Sequence, residues 1–329
     1  MDLEKLVLSY SIDENIKISD LKNKNIPSNL DYSKIGKFME DNNLNFFVDE
    51  KGADYHYRFY NTKSKPYIVY WKGDSQILDK KTIGIVGPRK PSNYGKKVLE
   101  ELFEYLSDKD IVTISGLAPG IDSWVAEHSI KNNIPTIAVL GGGLGYYLYS
   151  NKRNFIQKII DNGGLVMSEF KLKSKPTNFT FPQRNRIIAG LSDLLFLPEA
   201  GDGSGSLITV DFALKSNVPV YATPGRIFDT QSEGVNQLIK DKKIGLVSGI
   251  KSFVEDNFGK IQEKSKPNIS NLSTEEKKIY HFVFEHNGCS YQEIANGVDL
   301  DSSEILVVLS SLELQGLIKE ELPDSWVVV

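Results

Sequence analysis

Six short apolar runs, each closed within two residues by Gly, Ser, Pro or Glu, constrain this chain more than any other feature. They lie at 83–86, 111–114, 136–140, 165–167, 194–197 and 218–222, each too short for a helix. Helical patterning fills most of the gaps, roughly at 94–107, 121–132, 152–162, 205–216 and 233–240. Such alternation predicts βαβ units, and hence a mostly parallel sheet covered on both faces. Ligands on these sheets sit beyond the carboxyl ends of the strands. The unusual residues of this chain fall at those ends. Gly87-Pro88-Arg89 follows the first run, Ser115-Gly116 the second, Gly141-Gly142-Gly143 the third, Glu199 the fifth and Pro224-Gly225 the sixth.

On either side the pattern changes. Residues 1–60 suggest a small N-terminal helical region to about 42, with a strand-like lead-in (PYIVYWKG) at 66–73. Residues 251–272, with EKSKPNISN, read as a linker. Beyond it come capping-box starts at Ser273–Glu276 and Ser290–Glu293, and an Asp variant at Asp301–Glu304. They open helices near 274–286, 291–297 and 302–315; Gly316 stops the last, and two strands flank Pro323-Asp324. Three helices and a β-ribbon over 273–329 predict a winged helix. The expected fold is therefore α/β: an extended Rossmann-like, doubly wound, mostly parallel sheet over 61–250, between the small helical region and the winged helix.

A composition of 40% hydrophobic and 25% charged residues is that of a globular protein. No window approaches 18 uncharged apolar residues, and MDLEKLVLSY lacks a basic leader, so we expect neither a membrane span nor a secretory signal, and a cytoplasmic location. Cys289 is the single cysteine, which excludes an internal disulfide framework and a cysteine zinc cluster. The net charge of −4 hides an uneven distribution. Residues 81–250 hold 20 cationic side chains against 16 acidic ones, whereas 271–329 hold 3 against 11. Within 152–186 eight Lys and Arg face only Asp161 and Glu169. A solvated surface is the ordinary reading of such a run; the motifs inside it favour an anionic ligand.

Gly87-Pro88-Arg89-Lys90 opens a strand-to-helix turn, where free N–H groups beside an arginine suit one phosphate. It matches neither the dinucleotide fingerprint nor a Walker loop, and a purely structural tight turn is the alternative. Ser115 to Asp122 (SGLAPGID) makes a second such turn, with Asp122 read as a helix cap rather than a catalyst. His128 has no ligand partner at helical spacing. In Phe181-Pro182-Gln183-Arg184-Asn185-Arg186, two arginine forks flank an amide able to meet a base edge. Phe155, Phe179 and Phe181 lie in the same basic stretch, and rings among cations suit stacking of unpaired bases; each taken alone reads as core. A third loop, Glu199 to Ser206, is anion-friendly at a helix start. Its Glu199 and Asp202 lack the metal cluster or nucleophile–base pair that hydrolysis needs, so no catalytic residue, metal or cofactor is assigned.

Taken in order, these segments resemble the DprA family of DNA-processing (Smf-type) proteins. The resemblance rests on KPYIVYWKGD, IGIVGPRKPSNYG, SGLAPGID, TIAVLGGGL, MSEF, FPQRNRIIAGLSDLLFLPEA, SGSLITVDFAL and VYATPG, continuous from about 60 to 250. It implies an extended Rossmann domain that dimerises, binds and protects single-stranded DNA, and loads a RecA-type recombinase in DNA uptake, natural transformation and recombination. Carried over by position, Gly87 and Arg89 hold a backbone phosphate, with Arg184, Asn185 and Arg186 lining the same pocket. Lys152, Arg153 and Phe155 extend it, the Phe as a stacking platform, while Ser115, Gly116, Ser204 and Gly205 supply the surrounding turns. Two departures stand out: Pro119 replaces a usual arginine, and His128 lies later than the family's histidine and is given no role. The helix at 302–315 has Glu304 and Glu313 and no cation, so the winged helix is expected to contact protein rather than duplex DNA. Two other readings remain open at this point: a nucleotide-cleaving enzyme resembling phosphoribohydrolases, and a sensor of a small nucleotide.

Overall fold

In the computed structural model, described over residues 3–12, 15–23, 31–51, 53–261, 272–286 and 288–328, the apolar runs become strands of one sheet. The strands are β1 (Asn45–Val48), β2 (Ile68–Gly73), β3 (Lys81–Ile85), β4 (Ile111–Ser115), β5 (Thr136–Val139), β6 (Leu165–Ser168), β7 (Leu194–Leu197), β8 (Val220–Ala222) and β9 (Gly245–Leu246). Their order is β1-β2-β6-β5-β4-β3-β7-β8-β9. From β6 through to β9 every pairing is parallel, while β2 runs antiparallel to β1 and β6. The central strands β4, β5, β6 and β7 are buried at every position, which is why they read as unbroken apolar runs. Alternation sorts their side chains: Leu195 and Leu197 join one core with Val112 and Ile114, and Phe196 joins another with Ile83, Ile85 and Leu99.

The helices of this unit are α1 (Leu3–Ile12), α2 (Ile18–Lys22), α3 (Ser33–Asp41), α4 (Asn93–Leu106), α5 (Ile121–Lys131), α6 (Leu144–Leu148), α7 (Arg153–Asp161), α8 (Thr180–Leu191), α9 (Ser206–Lys215), α10 (Glu233–Lys240) and α11 (Ile250–Phe258). Three corrections to the predicted organisation follow. The N-terminal region is not helical throughout its 60 residues, nor separate, because β1 enters the sheet and Val7, Leu21 and Ile35 share a core with Ile68, Tyr70 and Leu144. The linker cannot start at 251, because α11 buries Phe253 and Val254 with Leu99 and Phe103; residues 262–271 of that linker lie outside the described residues. Finally, α8 was not anticipated. Pro182 sits in its first turn, where a missing N–H costs nothing, but in sequence it reads as a loop.

The chain divides into residues 1–261 and 262–329. The second unit has α12 (Thr274–Glu285), α13 (Tyr291–Gly297), α14 (Ser302–Leu314), β10 (Ile318–Leu322) and β11 (Ser325–Val328), the last two antiparallel. All three helices start where the capping pattern places them, with Ser273, Ser290 and Asp301 paired to Glu276, Glu293 and Glu304. Ile279, Ile294, Ile305, Leu309 and Ile318 form its own core. Three helices followed by a ribbon is the element order of a winged helix. No helix of the described residues is long and apolar enough to cross a membrane.

Candidate nucleic-acid interface

In the parallel part of the sheet, β3 has β4 on one side and β7 on the other. The chain winds outward through β4, β5 and β6 before crossing to β7, which makes β3/β7 the switch point where such sheets bind ligands. A cavity of about 170 Å³ opens there. Its walls include Gly87 and Arg89 after β3, Arg184 and Asn185 on α8, and Ser204 and Gly205 before α9. Six of the expected binding residues are thus brought together.

Phe181 organises the cations. The Arg89 guanidinium lies 5.2 Å from its ring centroid and that of Arg184 5.9 Å, both within cation–π range. Arg89 is exposed, and Arg184 is only 2% exposed. Arg184 donates to the Val139 carbonyl and lies 3.8 Å from an Asp122 carboxylate oxygen, and its Nε is buried without a partner. Burial pushes the Asp122 carboxyl above its ordinary value, against the pull of Arg184, Ser115 and the Ala118 and Gly116 amides. Asp122 thus sits half-buried beside Arg184 in the first turn of α5, not as the cap predicted for it; Gly120 takes the cap position. The Arg184 guanidinium packs onto the bare backbone of Gly116, where a Cβ would displace it. Gly120 has φ +88° and lies against the Pro88 carbonyl, so it needs glycine twice over.

The remaining expected residues do not line this cavity. Arg186 is turned away and held by Glu169 through two bonds of 2.7 and 2.6 Å, a buried bidentate pair. Two positions apart on a helix, Arg184 and Arg186 point to opposite sides. The Ser115 hydroxyl donates to the Ile85 carbonyl at 2.8 Å and ties β4 to β3. Lys152 donates to the Leu117 carbonyl, and burial lowers its pKa from the ordinary lysine value. Arg153 is exposed at the start of α7, while Phe155 is half-buried against the core that contains Ile156 and Ile159. His128 packs between Phe103 and Trp124, at 5.4 and 5.6 Å. Glu199 is 1% exposed, and its two oxygens accept the Ser92 N–H and hydroxyl at 2.7 and 2.5 Å, anchoring the start of α4. Asn178, Pro182 and Thr209 also line the cavity and were missed. Asn178 precedes a helix that the sequence hides, and only its closeness to the FPQRNR motif signals it.

Residues 46–257 match the family model described as DNA recombination-mediator protein A. The chain is 38% identical to the DNA processing protein DprA of Streptococcus pneumoniae, over 59% of this chain and 68% of that protein. It is 36% identical to DprA of Bacillus subtilis, over 61% of this chain and 66% of the relative. Protein Smf of Escherichia coli is 35% identical, over 60% of this chain and 53% of its own length. The alignments thus span about two thirds of the two DprA proteins and about half of Smf. Among solved structures, DprA from S. pneumoniae superposes with a TM-score of 0.62 at 28% identity, covering 78% of this chain and 93% of that one. DNA processing protein A from Helicobacter pylori, whose structure addresses its single-stranded DNA binding mode, gives 0.57 at 28% identity, covering 64% and 94%.

Proposed function

This chain belongs to the DNA recombination-mediator protein A family, and from that premise we propose that it binds single-stranded DNA at the β3/β7 cavity without chemistry on it. One observation carries the reading: exposed Arg89, buried Arg184 and the Ser204-Gly205 turn before α9 converge at the carboxyl ends of the strands. Arg89 meets a phosphate beside the Ser204-Gly205 turn, and Arg184, partly offset by Asp122, lies beneath. Arg153 and Lys152 extend the cationic path along the start of α7. Against hydrolysis stands the structural duty of Glu199, which is 1% exposed and holds the start of α4 through the Ser92 N–H and hydroxyl. The wider role follows from the family resemblance: a cytoplasmic homodimer that protects incoming strands and hands them to a RecA-type recombinase during DNA uptake and recombination. The test is an electrophoretic mobility comparison of wild type and Arg89→Ala on unlabelled-competitor mixtures of single strands. Weaker binding by the variant on every sequence alike supports the site; wild-type affinity in the variant overturns it.

A further inference from the structure

The bound strand needs somewhere to place its bases, and the sequence assigned that task to Phe155, whose ring the structure half-buries. Phe181 is also occupied, with two guanidiniums against its ring and the Gly141 backbone beside it. Tyr149 is exposed but stacks on Phe38 at 5.8 Å. Phe179 differs from all three. It is 87% exposed, and no aromatic or cationic partner is seen for it among the described residues. A phenylalanine left in water forgoes about 1.5–3 kcal/mol of burial, which a ligand that covers it recovers.

Its position agrees with that use. Phe179 ends the segment joining β6 to α8, between Asn178 and Phe181, both of which line the cavity. Pro176 of this segment leans on the glycine turn after β5 at Gly142. Lys173 and Lys175 are exposed on the same segment, and no acidic residue occurs from Phe170 to Ser192. Among the described residues two other phenylalanines are exposed: Phe284 belongs to the second unit, and Phe228, with Asp229 beside it, lies in a separate hollow lined by Arg226, Glu199 and Ser92 rather than beside the arginine-lined cavity. An unpartnered ring among lysines, at the lip of an arginine-lined cavity, matches the chemistry of an unpaired nucleotide, a π face carried on a phosphate.

We propose that Phe179 is the stacking platform for a base of the single strand whose phosphate sits at Arg89. The proposal rests on the single-strand reading above and adds the base contact to it. Stacking on one ring is sequence-tolerant, so this contact discriminates unpaired from paired bases rather than one base from another.

The experiment titrates the full chain, as wild type, Phe179→Ala and Phe179→Trp, with oligo-dT and with an abasic oligonucleotide of equal length. Phe179→Ala is expected to weaken oligo-dT about 5- to 150-fold, with abasic affinity and melting temperature unchanged. Phe179→Trp is expected to restore binding, its indole fluorescence quenched by oligo-dT. The proposal falls if Phe179→Ala binds oligo-dT as wild type does, if it loses abasic affinity equally, or if it changes the oligomeric state instead. Wild type that binds no single strand sinks the underlying reading as well, which separates the two failures.

Discussion

Arg89 and Arg184 share the Phe181 ring and yet ask for different experiments. Arg89 is exposed, so Arg89→Ala is expected to leave the melting temperature unchanged while lowering affinity. Arg184 is buried against Asp122; removing one partner of such a pair strands a charge and costs about 3–5 kcal/mol. Arg184→Ala is therefore expected to lower the denaturant midpoint as well as the affinity, and an unchanged midpoint would contradict the buried pairing. At this scale the sequence was legible where glycine and arginine follow an apolar run, as at Gly87, Arg89, Ser204 and Gly205. It was not legible at Arg-Asn-Arg, which reads as one basic patch because nothing in the letters announces a helix. Once α8 winds, one arginine enters the cavity and the other pairs with Glu169.

Among elements, period and caps carried the information. The helices of the second unit begin where Ser273, Ser290 and Asp301 predict, because a capping box is a local hydrogen-bond pattern written in four consecutive residues. Those boxes also set a pH dependence. Backbone bonds at Ser290 and Ser273 hold Glu293 and Glu276 below the ordinary glutamate range. A depressed carboxyl contributes stability above its unfolded value and loses it as pH falls through the folded one. The isolated transition of this unit is thus expected to weaken only below about pH 4.3, and Glu293→Gln is expected to flatten that profile in circular dichroism. By contrast α11 was hidden, since a charged stretch before EKSKPNISN resembles a linker and its apolar residues are few. Phe253 lies 5.2 Å from Phe196, so Phe253→Ala is expected to cost about 3–5 kcal/mol; a cost near zero would return this segment to the linker.

For the molecule as a whole, charge is distributed rather than simply summed. The sheet-bearing block is cationic and the C-terminal unit strongly acidic, with 3 cations against 11 acids over residues 271–329. A single-strand site confined to the first unit predicts that a chain shortened to residues 1–261 keeps its affinity for oligo-dT. The acidic α14, with no cation over Ser302–Leu314, predicts that the full chain gains no affinity for duplex from this unit. Alternation of strands and helices made the doubly wound sheet readable from sequence. Of the antiparallel edge, β2 was readable as the strand-like lead-in, whereas β1, the four residues Asn-Phe-Phe-Val, is too short to stand out.

The most direct test of the central claim is fluorescence anisotropy with labelled oligo-dT over a salt series, against duplex competitor. A strand held by its phosphates at the β3/β7 cavity gives log affinity falling linearly with log salt, about 0.7 per phosphate neutralised, and Arg89→Ala shallower by roughly one such contact. Duplex should compete poorly. Salt-independent binding, or duplex competing as well as single strand, would contradict the account.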